Sequence, residues 1–393
     1  MTIRNLDRIF APKSAVLVGA SERPGSVGAK MTENFLSGGF QGKTWLVNPK
    51  HETLRGLPCY PGIDSLPEAP DLAVLAIPPK AVPETIAARG KKGTRAAVVV
   101  SAGIREGNLG QAMLDAAKPH CFRIVGPNSL GMMIPGAGLN AGFAHAMPKA
   151  GDLAFLSQSG ALVGAVLDWS LGRGIGFSCM VSLGDMTDVD VGDLLDYLAG
   201  DAKTRAILMY LEQITNPRKF MSAARSAARV KPVVVVKSGR HTGAAKAAKS
   251  HTGALAGADI VYDAAFRRAG IVRVKDLEDL FDAAEILSHA RRLNGDRLAL
   301  VTNGGGAGIL AADELESRGS RLAALSEDTI LALDALLPPA WSKGNPIDIV
   351  GDAGPERYEA AVKAALADPG ADAVLVMSCP TALASGVEAA KVT

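Results

Sequence analysis

The chain has 393 residues, 48% of them hydrophobic and 21% charged, with 43 glycines, a composition that excludes a disordered chain and fits two or three folded domains. Its 42 Lys plus Arg against 40 Asp plus Glu leave a net charge of +2, which offers no nucleic-acid surface and no membrane-binding patch. No apolar run approaches the roughly 20 residues that span a bilayer, residues 1–12 lack a signal-peptide core, and Cys59, Cys121, Cys179 and Cys379 lack paired spacing, so a cytoplasmic protein with reduced thiols and no metal site is expected.

The predicted elements fall into three successive α/β units. In the first, residues 1–140, short apolar strands are predicted at 15–18, 44–47, 72–77, 96–100 and 122–125, with helical stretches between them. Strands alternating with helices imply a parallel sheet with right-handed crossovers. Ligands of such sheets lie beyond the carboxyl ends of the strands. Five loops stand there: Gly19-Ala20-Ser21, Asn48-Pro49-Lys50, Pro78-Pro79-Lys80, Ser101-Ala102-Gly103 and Gly126-Pro127-Asn128. The first leads through Arg23 and Val27 into a helix, and such a turn aims backbone N–H groups at an anion. Arg23 and Lys50 could meet a phosphate, or stand as ordinary exposed cations. Gly19, Gly25 and Gly28 do not follow G-x-G-x-x-G, and Lys50 stands where a dinucleotide site needs an acid. A nicotinamide dehydrogenase is therefore disfavoured.

In the second unit, residues 141–292, a strand-like run at 151–156 enters Ser157-Gln158-Ser159-Gly160 and a helix over 161–171. This is a second candidate anion site. It is equally a plain N-cap by Ser157 or Ser159, stabilising the helix by about 1 kcal/mol. Strands at 175–181, 206–210 and 232–236 extend a parallel sheet. Glu212 follows the strand that ends near Leu211. A carboxylate there can orient a histidine by accepting its second ring N–H, or it is a cap or an exposed charge. Further on, Lys249-Ser250-His251-Thr252-Gly253 sets one imidazole in a loop of small residues before a helix over 258–269. Such loops approach ligands closely, and a histidine there can act as a nucleophile toward phosphate. The plainer reading is a solvated histidine in a surface turn. His241, in the same loop without this context, reads as an exposed neighbour.

In the third unit, residues 293–393, a strand at 297–302 precedes Asn303-Gly304-Gly305-Gly306-Ala307-Gly308 and a helix to about 318, with strands at 321–325 and 373–377. So few strands in this unit suggest a domain cut before its end. The recurring strand–glycine–helix order reflects one fold plan, not a repeat array.

Taken in order, these motifs resemble the α-type part of the NDP-forming acyl-CoA synthetases, the superfamily of ADP-forming acetyl-CoA synthetase and succinyl-CoA synthetase. Val18-Gly19-Ala20-Ser21 looks like the phosphate turn of the family's CoA-binding domain. Gly126-Pro127-Asn128-Ser129-Leu130-Gly131 is similar to its G-P-N-x-x-G loop. Leu156-Ser157-Gln158-Ser159-Gly160 resembles the turn opening the helix that points at the phosphorylated histidine, and Ser250-His251-Thr252-Gly253 resembles the phosphohistidine loop. The resemblance implies an α/β fold: a Rossmann-like CoA-binding domain at 1–140, a flavodoxin-like ligase domain bearing the phosphohistidine at 141–292, and a second flavodoxin-like domain at 293–393.

It also implies roles. His251 and Glu212 would be catalytic. CoA would be held by Gly19, Ala20, Ser21, Arg23, Val27, Asn48, Pro49, Lys50, Ile77, Pro78, Pro79, Ser101, Ala102, Gly103 and Asn128. Phosphate would be held by Ser157, Ser159, Gly160, Thr252 and Gly253. Phosphate would attack an acyl-CoA thioester to give an acyl phosphate, and His251 would carry the phosphoryl group to ADP. ATP or ADP with Mg would enter only through an ATP-grasp domain, absent from this sequence, supplied by a partner subunit or a fused domain. A homo- or hetero-oligomer acting on a small carboxylic acid and CoA is expected. The third unit is also similar to fused proteins that end in a protein lysine acetyltransferase, where the synthetase-like part senses acyl-CoA. That is the alternative.

Overall fold

The computed structural model describes residues 3–104, 107–240, 258–289, 293, 295–383 and 385–393. The chain divides into two compact units, Met1–Ala290 and Arg291–Thr393.

The larger unit holds two seven-stranded sheets. The first comprises β1 (Ser14–Val18), β2 (Lys43–Val47), β3 (Thr53–Leu54), β4 (Leu57–Tyr60), β5 (Leu72–Leu75), β6 (Ala96–Val99) and β7 (Arg123–Val125), in the order β3-β4-β2-β1-β5-β6-β7. All neighbours are parallel except the β3–β4 pair. Central strands such as Leu72–Leu75 and Ala96–Val99 are buried along their whole length. Their unbroken apolar runs are what a sheet covered on both faces requires. Order reverses between β1 and β5, so the loops after β1 and β5 flank the switch point where such sheets receive ligands.

The second sheet comprises β8 (Gly131–Ile134), β9 (Leu139–Gly142), β10 (Lys149–Ser157), β11 (Gly176–Ser182), β12 (Ala206–Leu211), β13 (Val233–Lys237) and β14 (Val272–Val274), in the order β14-β13-β12-β10-β11-β8-β9. Five strands are parallel: the four expected, and β14, which was not. β8 and β9, however, form a hairpin that adds antiparallel to β11. Four glycines within 131–142 read as loop in the sequence. Here glycine serves close approach: a Cβ at Gly131 would lie 2.3 Å from the Ala141 carbonyl oxygen. One hydrophobic core, including Leu17, Val98 and Val125 from the first sheet and Met132, Ile207 and Leu211 from the second, runs through both.

In the smaller unit β15 (Arg297–Thr302) is central. It pairs in parallel with β16 (Arg321–Leu322), β17 (Ile347–Asp348) and β18 (Ala373–Met377). The strand expected at 321–325 is confined to its first two residues. Its core includes Trp341, Tyr358 and Ile347. No helix among the described residues is long and apolar enough to cross a membrane.

Candidate functional site

A cavity of about 690 Å³ opens between the carboxyl ends of the first sheet and the start of the helix Gly160–Arg173. It gathers Val27, Ile77, Ser101, Ala102 and Asn128 from the first-sheet loops, with Ser159 and Gly160 from the second. These seven were among the expected binding residues, from loops up to 133 positions apart in sequence (27 to 160).

Behind this wall the first-sheet turn is fixed by its backbone. Gly19 has φ +93°, and a Cβ there would lie 2.2 Å from the Ala76 carbonyl oxygen, so only glycine fits between β1 and β5. Gly28 would place a Cβ 2.6 Å from the Gly19 carbonyl oxygen, so the helix Val27–Ser37 packs directly on the turn. The Ser21 amide donates to Thr32 Oγ1 at 3.0 Å, and the Arg23 amide donates to Ser21 Oγ at 3.1 Å. Asn48 Nδ2 donates to the Ala20 carbonyl at 2.6 Å, and Asn48 Oδ1 accepts from the Lys50 amide at 2.9 Å. Gly19, Ala20, Ser21 and Asn48 thus build the turn, while Arg23, Pro49 and Lys50 are exposed at its rim. Pro78, Pro79 and Gly103 lie in the neighbouring loops outside the cavity lining.

The Gly126-Pro127-Asn128 loop is held from the other sheet. Segment 183–190 runs beside it. The Asp185 amide donates to the Pro127 carbonyl at 2.9 Å, the Thr187 amide to Gly126 at 3.2 Å and the Val189 amide to Ile124 at 3.1 Å. Asp188 anchors the segment by accepting from the Ile124 amide at 2.8 Å. Arg123 then reaches Asp193 at 3.2 Å, and Asp193 also meets Lys219 at 2.7 Å. Burial opposes charge on Lys219, but the hydrogen bonds it donates to Asp193 and Asp190 outweigh it and hold its pKa above the usual lysine value. Burial dominates at Asp193 and raises its carboxyl pKa.

The helix Gly160–Arg173 starts at the cavity, so its N-terminal amides and the positive end of its dipole lie there. Ser159 caps it, accepting from the Leu162 amide at 3.4 Å. The buried Ser157 hydroxyl closes the turn on itself, accepting from the Ser159 amide at 3.1 Å and donating to the Ser159 carbonyl at 2.8 Å. Gln158, in the cavity lining, was not expected among the site residues. Its Oε1 accepts from the amides of both Glu212 and Gln213, the latter at 2.9 Å. The sequence signal was the polar residue between two serines just before a helix. Glu212 is buried at 8% exposure, at the end of β12. Lys237 closes β13 beside it, with its ammonium 4.4 Å from the Tyr262 ring centre. Burial lowers the Lys237 pKa, offset only in part by the charges of Asp259 and, less, Glu212. His251, Thr252, Gly253 and His241 lie outside the described residues.

The description CoA binding domain fits residues 13–135, succinyl-CoA ligase like flavodoxin domain fits 150–287, and Ligase-CoA domain fits 298–392. The chain is 37% identical over 397 residues to acetate–CoA ligase [ADP-forming] I subunit alpha of Pyrococcus furiosus, covering 99% of this chain and 86% of that subunit. The chain belongs to the α-type part of the NDP-forming acyl-CoA synthetases. A further synthetase, acetate–CoA ligase [ADP-forming] I of Archaeoglobus fulgidus, is 42% identical over 391 residues. The match takes in 98% of this chain but only 56% of that protein, so the chain spans little more than half its length. Among solved synthetases, the dinucleotide forming acetyl-coenzyme A synthetase 1 of Ca. Korarchaeum cryptofilum, in complex with phosphate and ADP, superposes with a TM-score of 0.93 at 38% identity, over 98% of this chain and 84% of that one. These relatives carry ligase names and give the acetyltransferase alternative no support.

The cavity lining also includes Leu130 and Ala161, which fall within the motif segments 126–131 and 157–161, and Phe143, which falls in none. Phe143 lies just past β9, beside a hairpin for which the sequence analysis names no strand.

Proposed function

We propose that this chain is the CoA-binding and phosphoryl-carrying part of an ADP-forming acyl-CoA ligase. What carries the reading is one juxtaposition: loops of the first sheet and the N-terminus of the helix Gly160–Arg173 line a single cavity. CoA would lie along the loops at Gly19-Ala20-Ser21, Asn48 and Ser101-Ala102, with its thioester end near Asn128 and Ser159. An inorganic phosphate oxygen attacks the acyl carbon, and the thiol leaves as CoA with the phosphate's proton. The resulting acyl phosphate gives its phosphorus to a ring nitrogen of His251, and the carboxylate departs. The helix N-terminus stabilises the developing phosphoryl charge, by about 1–2 kcal/mol, and Glu212 keeps the other ring nitrogen engaged.

Phosphohistidine then passes its group to ADP in an ATP-grasp subunit or fused domain, which brings the Mg. The α-subunit name of the Pyrococcus relative supports a partner subunit. Four free thiols suit a reducing cytoplasm.

Intact-mass measurement tests this. After incubation with acetyl-CoA and phosphate, the chain should gain one phosphoryl group that is labile in acid and missing in His251→Ala. If the chain binds CoA yet gains no phosphate, even with ATP and an ATP-grasp partner, the carrier role is wrong.

A further inference from the structure

The stretch Arg89-Gly90-Lys91-Lys92-Gly93-Thr94-Arg95 puts four cations into one turn. It closes the helix Val82–Lys92, which runs from the end of β5 to the start of β6. The turn therefore lies at the edge of the first sheet opposite the cavity. Three of the cations have an outlet. Lys91 is exposed, Lys92 Nζ meets Asp64 at 3.3 Å, and Arg95 Nη1 donates to the Gly90 carbonyl at 2.9 Å. Arg89 is different. It is wholly buried, and its Nη2 donates to the Ile63 carbonyl. Its Nε and Nη1 have no hydrogen-bond partner, and neither has Oγ1 of the wholly buried Thr94. Thr94 belongs to the same turn: its amide donates to the Arg89 carbonyl at 3.1 Å.

The charges that could neutralise Arg89 are committed elsewhere. Segment 61–70 covers the turn, and of its two acids Glu68 holds Lys43 at 2.6 Å while Asp64 turns outward to Lys92. The Asp64 charge offsets only part of the burial that brings the Arg89 pKa down to about 10, so the group is still a cation at neutral pH. The negative end of the helix is occupied too, because the Gly93 amide donates to the carbonyls of Arg89 and Gly90. A buried cation without an acceptor is strongly destabilising, and buried polar groups in native proteins find partners. A guanidinium has donors only, so the partner it lacks is an acceptor. Four cations against one carboxylate favour an anion over water. Because Arg89 and Thr94 are both shut off from solvent, that anion is no larger than about one water molecule, roughly 30 Å³.

We propose that Arg89, with Thr94 beside it in the turn, binds a buried halide ion of the chloride kind. The ion fastens segment 61–70 to the end of the helix, where Ile63 and Asp64 already give their carbonyls to Arg89 and, at 2.6 Å, to Lys92. The site is independent of the acyl-CoA chemistry.

Thermal melts of the full chain test this, with chloride exchanged for gluconate at constant ionic strength; gluconate is too large to enter. Going from about 1 mM to about 0.2 M chloride should raise the melting temperature of the native chain by about 2–5 °C, as occupation of a millimolar site requires. Arg89→Met, which keeps the bulk and removes the charge, should lose that rise. Asp64→Asn should keep it. No rise in the native chain overturns the proposal, since water or Asp64 then serves the two donors. A rise that survives in Arg89→Met puts the halide elsewhere and overturns it equally, as does its loss in Asp64→Asn. Should Arg89→Met fail to fold, bromide decides: an anomalous diffraction peak in contact with Nε and Nη1 in crystals of the native chain supports the site, and the lack of one overturns it.

Discussion

The Asp188 carboxylate grips the Arg123 guanidinium at 3.1 Å while accepting from the Ile124 amide. This joins the loop that follows β11 to the last strand of the other sheet, three residues before the cavity loop at Gly126–Asn128. Asp188→Ala removes the clasp from Arg123, only 12% exposed, whose other contacts include Asp193 and the Arg4 carbonyl. Urea denaturation should show a loss of about 1–3 kcal/mol. CoA affinity should fall severalfold with it, because Asn128 is positioned through this segment. Unchanged stability would mean that the segment is held by its backbone bonds alone.

Two glycines in the same turn make a matched pair. Gly19 has φ +93° and no room for a Cβ, whereas Gly25 has φ +72° and nothing within 4 Å. Gly25→Ala should cost about 1 kcal/mol, the strain of a left-handed residue. Gly19→Ala adds a clash with the backbone of β5. It should cost clearly more and abolish CoA binding, measured by thermal melts and calorimetry. Similar costs for the two would contradict the packing described at Ala76.

Gln158 separates folding from chemistry. Gln158→Leu leaves the Glu212 and Gln213 amides without their acceptor, at a cost of about 1–3 kcal/mol. Gln158→Glu still offers an oxygen to both amides, so stability should largely survive. It places a negative charge in the cavity wall, however, and phosphate-dependent labelling of the chain should drop at least tenfold. Labelling at the native level in Gln158→Glu would show that no anion approaches this wall.

In the smaller unit Asp372 accepts from the Arg297 side chain at 2.9 and 2.8 Å and from its amide at 3.0 Å. Those bonds hold the Asp372 carboxyl well below the usual range. Since the folded pKa is depressed, the stabilisation is present above the ordinary aspartate value near 4 and is lost as pH falls toward the folded one. Acid titration followed by circular dichroism should show Asp372→Asn less stable at neutral pH and less sensitive to pH between about 4 and 2. Parallel curves for the two proteins would rule this out.

Much of the fold was legible because buried parallel strands leave unbroken apolar runs. The runs at 72–77, 96–100 and 206–210 each became strands nearly as read. What escaped were strands whose register depends on partners far away. β17, two residues long, is fixed by pairing with Val301 and Thr302. The β8–β9 hairpin depends on Met180 and Val181 of β11, and its glycines look like loop until a neighbour is in place. The cavity residues divide in the same way. Ser159 and Asn128 sit in turns with their own local signature, and were found. Leu130 belongs to the Gly126–Gly131 motif, whereas Phe143 lines the cavity only because the hairpin folds back, and nothing local marks it. Arg23 and Lys50, read as able to meet a phosphate or as ordinary exposed cations, stand exposed at the edge of a turn closed by backbone and Asn48.

The hairpin Gly131–Gly142 follows directly on the first sheet's final loop and is already part of the second sheet. The two halves of this unit therefore share no spacer that evolution or an engineer could cut. A crossover at the hairpin tip, near Gly138, would hand one ladder to two different parents. Chimeras between relatives should therefore succeed only when both sheets come from one source.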